Sequence, residues 1–145
     1  MTPDVNVLVA AFRADHAHHR PARQWLTDAI TGGSPAMPLR LLPPVVASFL
    51  RLVTNPKVFA QPDPIAHAMA FVDALLASPA VEMAVVGEEW PQFRKLCLDG
   101  KLQGNAIPDA WLAAAVAHLG DHLVTFDAGF KRLLRREQLT LLVAV

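Results

Sequence analysis

The 145-residue chain has a single cysteine, Cys97, no tyrosine, and no net formal charge, with 13 Lys plus Arg against 13 Asp plus Glu. One thiol forms no internal disulfide and builds no cysteine-based zinc site. Free cysteine behaves as a small hydrophobe, so Cys97 reads as a helix-packing residue, and a chain without disulfides suits a reducing, cytoplasmic setting. The missing tyrosine removes one of the usual general acid–base groups. No run approaches the ~18–20 uninterrupted apolar residues of a membrane span, although 53% of the residues are apolar. The opening Met-Thr-Pro-Asp lacks the basic region that precedes a signal peptide's apolar core. Zero net charge argues against a generally basic nucleic-acid binder, so contact with a polyanion needs a local patch.

What is present is a globular composition, long enough for one domain over residues 1–145 with a sizeable core. Apolar spacing alternates between helical and strand patterns. A very short first strand ends near Asp4, and a helix follows over about residues 5–14. The stretch DHAHHR reads as a polar connection. PARQWLTDAI is an amphipathic helix stopped by TGGSP, and AMPL is a short strand. LLPPVVASFLRLVTNP is an apolar helix that Pro43 and Pro44 start or kink and Asn55-Pro56 ends. A helix over Ile65–Leu76 carries Ile65, Met69, Val72 and Leu76 on one stripe. VEMAVV is a strand with Glu82 outward, residues 88–98 a helix with Glu88 and Glu89 in its first turn. AIPDAWLAAAVAHLG is a helix closed by Gly120. HLVTFD is a strand, GFKRLLRRE a short basic helix, and LTLLVAV a final buried strand.

Strands separated by helices require crossover connections and hence a parallel sheet, an α/β fold. Ligands of such sheets bind beyond the carboxyl ends of the strands. Asp4 ends the first strand, Asp127 ends HLVTFD, and Asp109 opens the helix before that strand. Each has a purely structural reading: Asp4 as a cap accepting from Asn6 or Val7 N–H, Asp109 as a first-turn acid, Asp127 as another cap. Their joint placement at one sheet edge favours a site. Converging carboxylates repel unless a cation stands between them. All-oxygen ligands suit Mg²⁺ or Mn²⁺, ions used in phosphate chemistry.

PDVNVLVAAF, FLRLVTNPKVF, GNAIPDAWLAAAVAHLG and LVTFDAGF stand in an order and spacing that resembles the PIN-domain ribonuclease toxins of the VapC type, over nearly the whole chain. The resemblance implies a three-layer α/β/α PIN-like domain with a central parallel sheet. It implies Mg²⁺- or Mn²⁺-dependent cleavage of RNA, a homodimer, and inhibition by a small cognate antitoxin; the lack of a long apolar run argues against a membrane partner. It assigns Asp4, Asp109 and Asp127 as catalytic and metal-binding acids. Asn6 matches a neighbouring polar residue that orients Asp4 or a water, Asn105 supplies the context ahead of Asp109, and Thr125 is a hydrogen-bonding support. Many PIN domains carry a Glu where this chain has Ser48, three residues before Arg51. The site is therefore one carboxylate short of that pattern, and Glu88, Glu89 and Asp99 are the candidate replacements. A catalytically weakened PIN-like module binding RNA or protein is the alternative.

Arg51 shares a helix face with Ser48 and is a candidate contact for a phosphate, an acid or an antitoxin group. Lys131, Arg132, Arg135 and Arg136 form either a solvated face or a patch that steers RNA. The histidines of DHAHH invite a zinc reading, but no second ligand pair stands elsewhere at zinc spacing. Trp111, two residues after Asp109, is expected to point away from the acids. A receiver-like domain is disfavoured because Asp4 has no acidic neighbour.

Overall fold

Five short parallel strands alternate with six helices in the computed structural model, which describes residues 1–143. The order is β1 (Thr2–Pro3), α1 (Val5–Phe12), α2 (His19–Gly32), β2 (Leu39–Leu41), α3 (Pro43–Val53), α4 (Ile65–Leu76), β3 (Val81–Met83), α5 (Trp90–Gly100), α6 (Ala106–His118), β4 (Leu123–Thr125) and β5 (Leu139–Leu141). Two 3₁₀ turns, Ala128–Arg132 and Arg136–Gln138, lie between β4 and β5.

One ladder joins β1, β4 and β5 and another joins β2 and β3. The Arg40 N–H donates to the Met1 carbonyl at 2.8 Å and brings β2 alongside β1. In space the strands therefore run β3-β2-β1-β4-β5. The chain leaves β1 toward one side of the sheet and later returns to build the other. The β1/β4 boundary is thus a topological switch point, where the first loops of the two halves diverge and open a crevice.

The central strands are buried on both faces and are therefore largely apolar. Leu39, Leu41, Leu123 and Val124 are fully buried. Helix α1 buries five successive residues, Val7 to Ala11, and so lies inside the molecule, not on its surface. Phe12, Phe49 and Phe71 tie α1, α3 and α4 together, with ring centroids 5.1–5.5 Å apart. At the amino edge of the sheet, Asp121 accepts from Thr2 Oγ1 at 3.0 Å and Arg40 Nη1 at 3.1 Å, clamping β1, β2 and β4 at the edge opposite the crevice.

Several sequence expectations shift. The buried face of α4 is Ala68, Val72 and Leu75, while Ile65 and Met69 are exposed. The stripe drawn through the larger side chains missed that α4 packs closely through an alanine. The basic segment after Asp127 folds as two 3₁₀ turns in place of one helix. The last strand is only half-buried at Leu139–Leu141, and residues 144–145 lie outside the described residues. Helix α2 starts inside DHAHHR, at His19. That stretch is tied down: Arg13 pairs with Asp15 and Asp63 at 2.8 Å and lies 4.1 Å over the Phe59 ring. His19 Nδ1 sits 2.8 Å from the Ala10 carbonyl, and the His18 ring packs on Phe126. No helix among the described residues is long and apolar enough to cross a membrane.

Candidate active site

Asp4 lies at the switch point, between β1 and α1, and is 6% exposed. Its main chain is extended, its N–H donates to the Val124 carbonyl of β4, and its Oδ1 accepts from Val5 N–H at 2.7 Å. The cap is real, but its donor is Val5, where the sequence suggested Asn6 or Val7. Oδ2 accepts from Thr125 Oγ1 at 2.7 Å. Thr125, fully buried in β4, also meets Asn6 Nδ2 at 3.1 Å and accepts from Asp127 N–H at 3.0 Å. Asn6 Oδ1 accepts from Phe126 N–H at 3.3 Å. One hydroxyl thus links Asp4, Asn6 and the Asp127 main chain.

Asp127 caps the first 3₁₀ turn, with Oδ1 accepting from Gly129 N–H at 2.8 Å, and is exposed. Asp109 sits half-buried in the first turn of α6, with no hydrogen bond to its side chain among the described residues. The structural readings of Asp4 and Asp127 as caps, and of Asp109 as a first-turn acid, are therefore correct, and the three acids also feel one another. Burial lifts the Asp4 carboxyl above its ordinary range against the pull of its two hydrogen bonds, and the charges of Asp109 and Asp127 add to the lift. Burial also raises Asp109, with Asp127 adding repulsion and Arg132 offsetting part of it. The donors are carboxylate oxygens flanked by a hydroxyl and an amide, a set that fits a hard divalent cation such as Mg²⁺ or Mn²⁺. Among the described residues, no three His, Cys, Asp or Glu side chains stand close enough to hold a metal ion as they lie.

Beside the acids opens a cavity of ≈ 480 Å³, whose lining includes Asp4, Ser48, Gly87, Asp109 and Trp111. Ser48 thus faces the same space as two of the acids. Trp111 does so too, contrary to the sequence expectation, because Pro108, Trp111, Leu112 and Ala115 form one stripe of α6 along the cavity and Asp109 stands at its border. Glu89 builds this wall. It is 2% exposed, accepts from Gly87 N–H at 2.7 and 2.9 Å, and accepts from Trp111 Nε1 at 2.9 Å. Burial alone favours its neutral form, but the bonds from Trp111 and the backbone outweigh it and hold its pKa below the ordinary value. Glu89 is therefore a bracket between the Gly87 loop and α6, committed elsewhere than at the missing carboxylate.

The other candidates divide. Glu88 is exposed, 3.6 Å from His118. Asp99 pairs with Lys95 at 2.6 Å, yet also lines a second cavity of ≈ 420 Å³ with Asp109 and Arg132. Of the basic run, Arg132 shares a cavity wall with Asp109, and Arg135 pairs with Glu137 at 3.2 Å. Arg51 is exposed on α3 and is not part of the lining that contains Ser48. Asn105 precedes α6, exposed, with no side-chain capping bond. The glycine–acid–indole bracket had no sequence signal, since Glu89 reads like any acid ahead of a helix.

A profile of the PIN domain matches residues 1–135. The chain is 41% identical over 132 residues to Ribonuclease VapC31 of Mycobacterium tuberculosis, covering 89% of both chains. It is 40% identical over 130 residues to Ribonuclease VapC25 of the same organism, again covering 89% of both. Among solved structures, VapBC2 from Rickettsia felis, crystallised bound to a DNA fragment from the promoter, superposes with a TM-score of 0.65 at 16% identity, covering 98% of both chains. That likeness shows the fold, and the sequence matches show the descent. The chain belongs to the PIN-domain family, among its VapC-type members.

Proposed function

We propose that this chain is a metal-dependent endoribonuclease, the toxin of a toxin–antitoxin pair, with Asp4, Asp109 and Asp127 as ligands of Mg²⁺ or Mn²⁺. The observation that supports the reading is that Asp4 and Asp109 line one cavity at the β1/β4 switch point, while Thr125 Oγ1 joins Asp4 to the Asp127 N–H. Relatives named as VapC ribonucleases support the substrate class. A bound divalent ion supplies positive charge for the phosphodiester and makes water a stronger nucleophile. Asp4 is held rigid by Val5 N–H and Thr125. Asp109 and the exposed Asp127 would supply the remaining carboxylate oxygens. Asn6 fixes Thr125, and Arg132 offers a charge to the RNA backbone beside Asp109. The products carry a 5′-phosphate and a 3′-hydroxyl. A small antitoxin as inhibitor, a homodimer and a cytoplasmic location belong to the same reading.

Asp4→Asn keeps an oxygen to cap α1 and removes the charge. It abolishes Mg²⁺-dependent cleavage of RNA while circular dichroism and melting remain native-like; cleavage at the native rate overturns the assignment. Ser48 on the cavity wall, where many PIN domains have a carboxylate, favours one rival reading, a module that binds without cutting. That reading predicts no binding of Mg²⁺ or Mn²⁺ at millimolar concentration and intact RNA after long incubation.

A further inference from the structure

The cavity beside the acids plays no part in the cleavage step, and its walls define what it can hold. We infer that it is a subsite for one unstacked base of single-stranded RNA, belonging to a nucleotide that flanks the scissile phosphate, with Ser48 as the residue that admits it. The inference rests on the endoribonuclease reading and adds the placement of the base.

Asp4 and Asp109 belong both to the acid cluster and to the cavity lining. A phosphate held at the acids therefore stands at the cavity mouth. The attached base, one sugar away, either stays in water or enters this recess. A base paired and stacked in a duplex is not available to enter, so the substrate is a single strand. The volume of ≈ 480 Å³ falls within the roughly 300–1,000 Å³ of small-molecule sites. Val45, Val86 and Leu112 supply apolar surface for the faces of a ring. The Trp111 indole N–H is already donated to Glu89. Ser48 is thus the one uncharged side chain of the lining with an uncommitted hydrogen-bonding group. A glutamate there would crowd the recess and add a third negative charge beside Asp4 and Asp109; serine leaves it open and neutral. A divalent cation held by the acids would attract the phosphate of a nucleotide, which an apolar side chain from a protein lacks. The Glu89 bracket holds the Gly87 loop against α6, so the walls are formed before RNA arrives. With so few polar groups, the subsite selects by base size and stacking more than by hydrogen-bond pattern.

The test uses a short single-stranded RNA that the full chain cuts once, and copies of it lacking one base at each position in turn. Cleavage is followed with Mg²⁺, and binding is followed separately by fluorescence anisotropy with Ca²⁺. One abasic position next to the cut lowers kcat/KM and affinity by about tenfold or more, the loss of a single base contact. Ser48→Phe and Val86→Phe, which fill the recess from different walls, show a similar loss with intact RNA and become insensitive to that abasic position. Circular dichroism checks both variants, and either one serves if the other does not fold. Cleavage with every abasic RNA within twofold of the intact one overturns the subsite and leaves the nuclease reading standing. Base-sensitive binding without cleavage in Mg²⁺ or Mn²⁺ sinks the nuclease reading and keeps the subsite. Variants that treat RNA normally but lose a protein partner assign the recess to a protein side chain and overturn the inference.

Discussion

Thr125→Val removes one oxygen and little else. The replacement keeps the branched shape in a position that is fully buried in β4. The lost hydroxyl donates to Asp4 Oδ2 at 2.7 Å, accepts from Asp127 N–H at 3.0 Å, and meets Asn6 Nδ2 at 3.1 Å. A hydrogen bond to a charged group contributes about 1.5–3 kcal/mol and a neutral one about 0.5–1.5 kcal/mol. Asn6 and Asp127 lie near solvent and recover part of their loss from water. The expected cost at neutral pH is then about 2–4 kcal/mol, a fall in Tm of roughly 5–15 °C for a chain of this size. Thr125 also holds the Asp4 pKa down, so the variant raises it further above its ordinary value. An acid whose folded pKa lies above its unfolded one costs stability while ionised, and the cost disappears as pH falls through the folded pKa. The deficit of Thr125→Val is therefore largest at neutral pH and narrows in acid. Thr125→Ser keeps the hydroxyl and loses a methyl, about 1 kcal/mol. Urea denaturation of the three proteins across pH measures all of this. A Thr125→Val chain within about 0.5 kcal/mol of native, or a serine variant as weak as the valine one, refutes the hydroxyl's role as the link between the acids.

Two other substitutions test the charges around the site. Asp109→Asn, in cation-free buffer at pH 7, melts above the native chain by up to about 1 kcal/mol, small because the half-buried carboxylate is partly screened. The gain closes as pH falls through the raised pKa of Asp109. Calorimetry with added Mg²⁺ then stabilises the native chain and not the variant, and a variant less stable than native at pH 7 contradicts the repulsion between the acids. Glu89→Gln turns an amide toward Gly87 or Trp111 and costs about 2 kcal/mol at neutral pH. Glu89 has a lowered folded pKa, so its contribution is present above its ordinary value of 4.5 and is lost as pH falls through the folded one. Denaturation curves that stay equally far apart down to acid pH count against the bracket.

The elements legible in the sequence were those with strong local signals. Gly120 closes α6 in the left-handed region, and Pro43-Pro44 opens α3. The strand-end positions of Asp4 and Asp127 followed from the alternation of patterns, because a parallel sheet leaves few places for its loops. The rest was set by contacts that no local pattern encodes. Glu89 looks like a first-turn acid until Gly87 and Trp111, the latter 22 residues away, close on its oxygens. Two helical steps turn by about 200° and point Trp111 away from Asp109, but the cavity runs along the stripe of Pro108, Trp111, Leu112 and Ala115, with Asp109 at its border. Ile65 and Met69 were assigned inward for their size, while the helix buries Ala68. The histidines were read as a connection because their partners, Ala10 and Phe126, lie outside the segment.

Strand β1 is two residues long and is held from both sides, by β4 through a ladder and by β2 through a single main-chain bond. Asp4 is set in place only when Val124 and Thr125 are there to receive it. During synthesis the first acid to emerge is thus positioned only after β4 has followed it. Until β4 and Asp127 have left the ribosome, the acids have no common edge to meet on. The arrangement proposed to hold the metal therefore requires β4 docked beside β1.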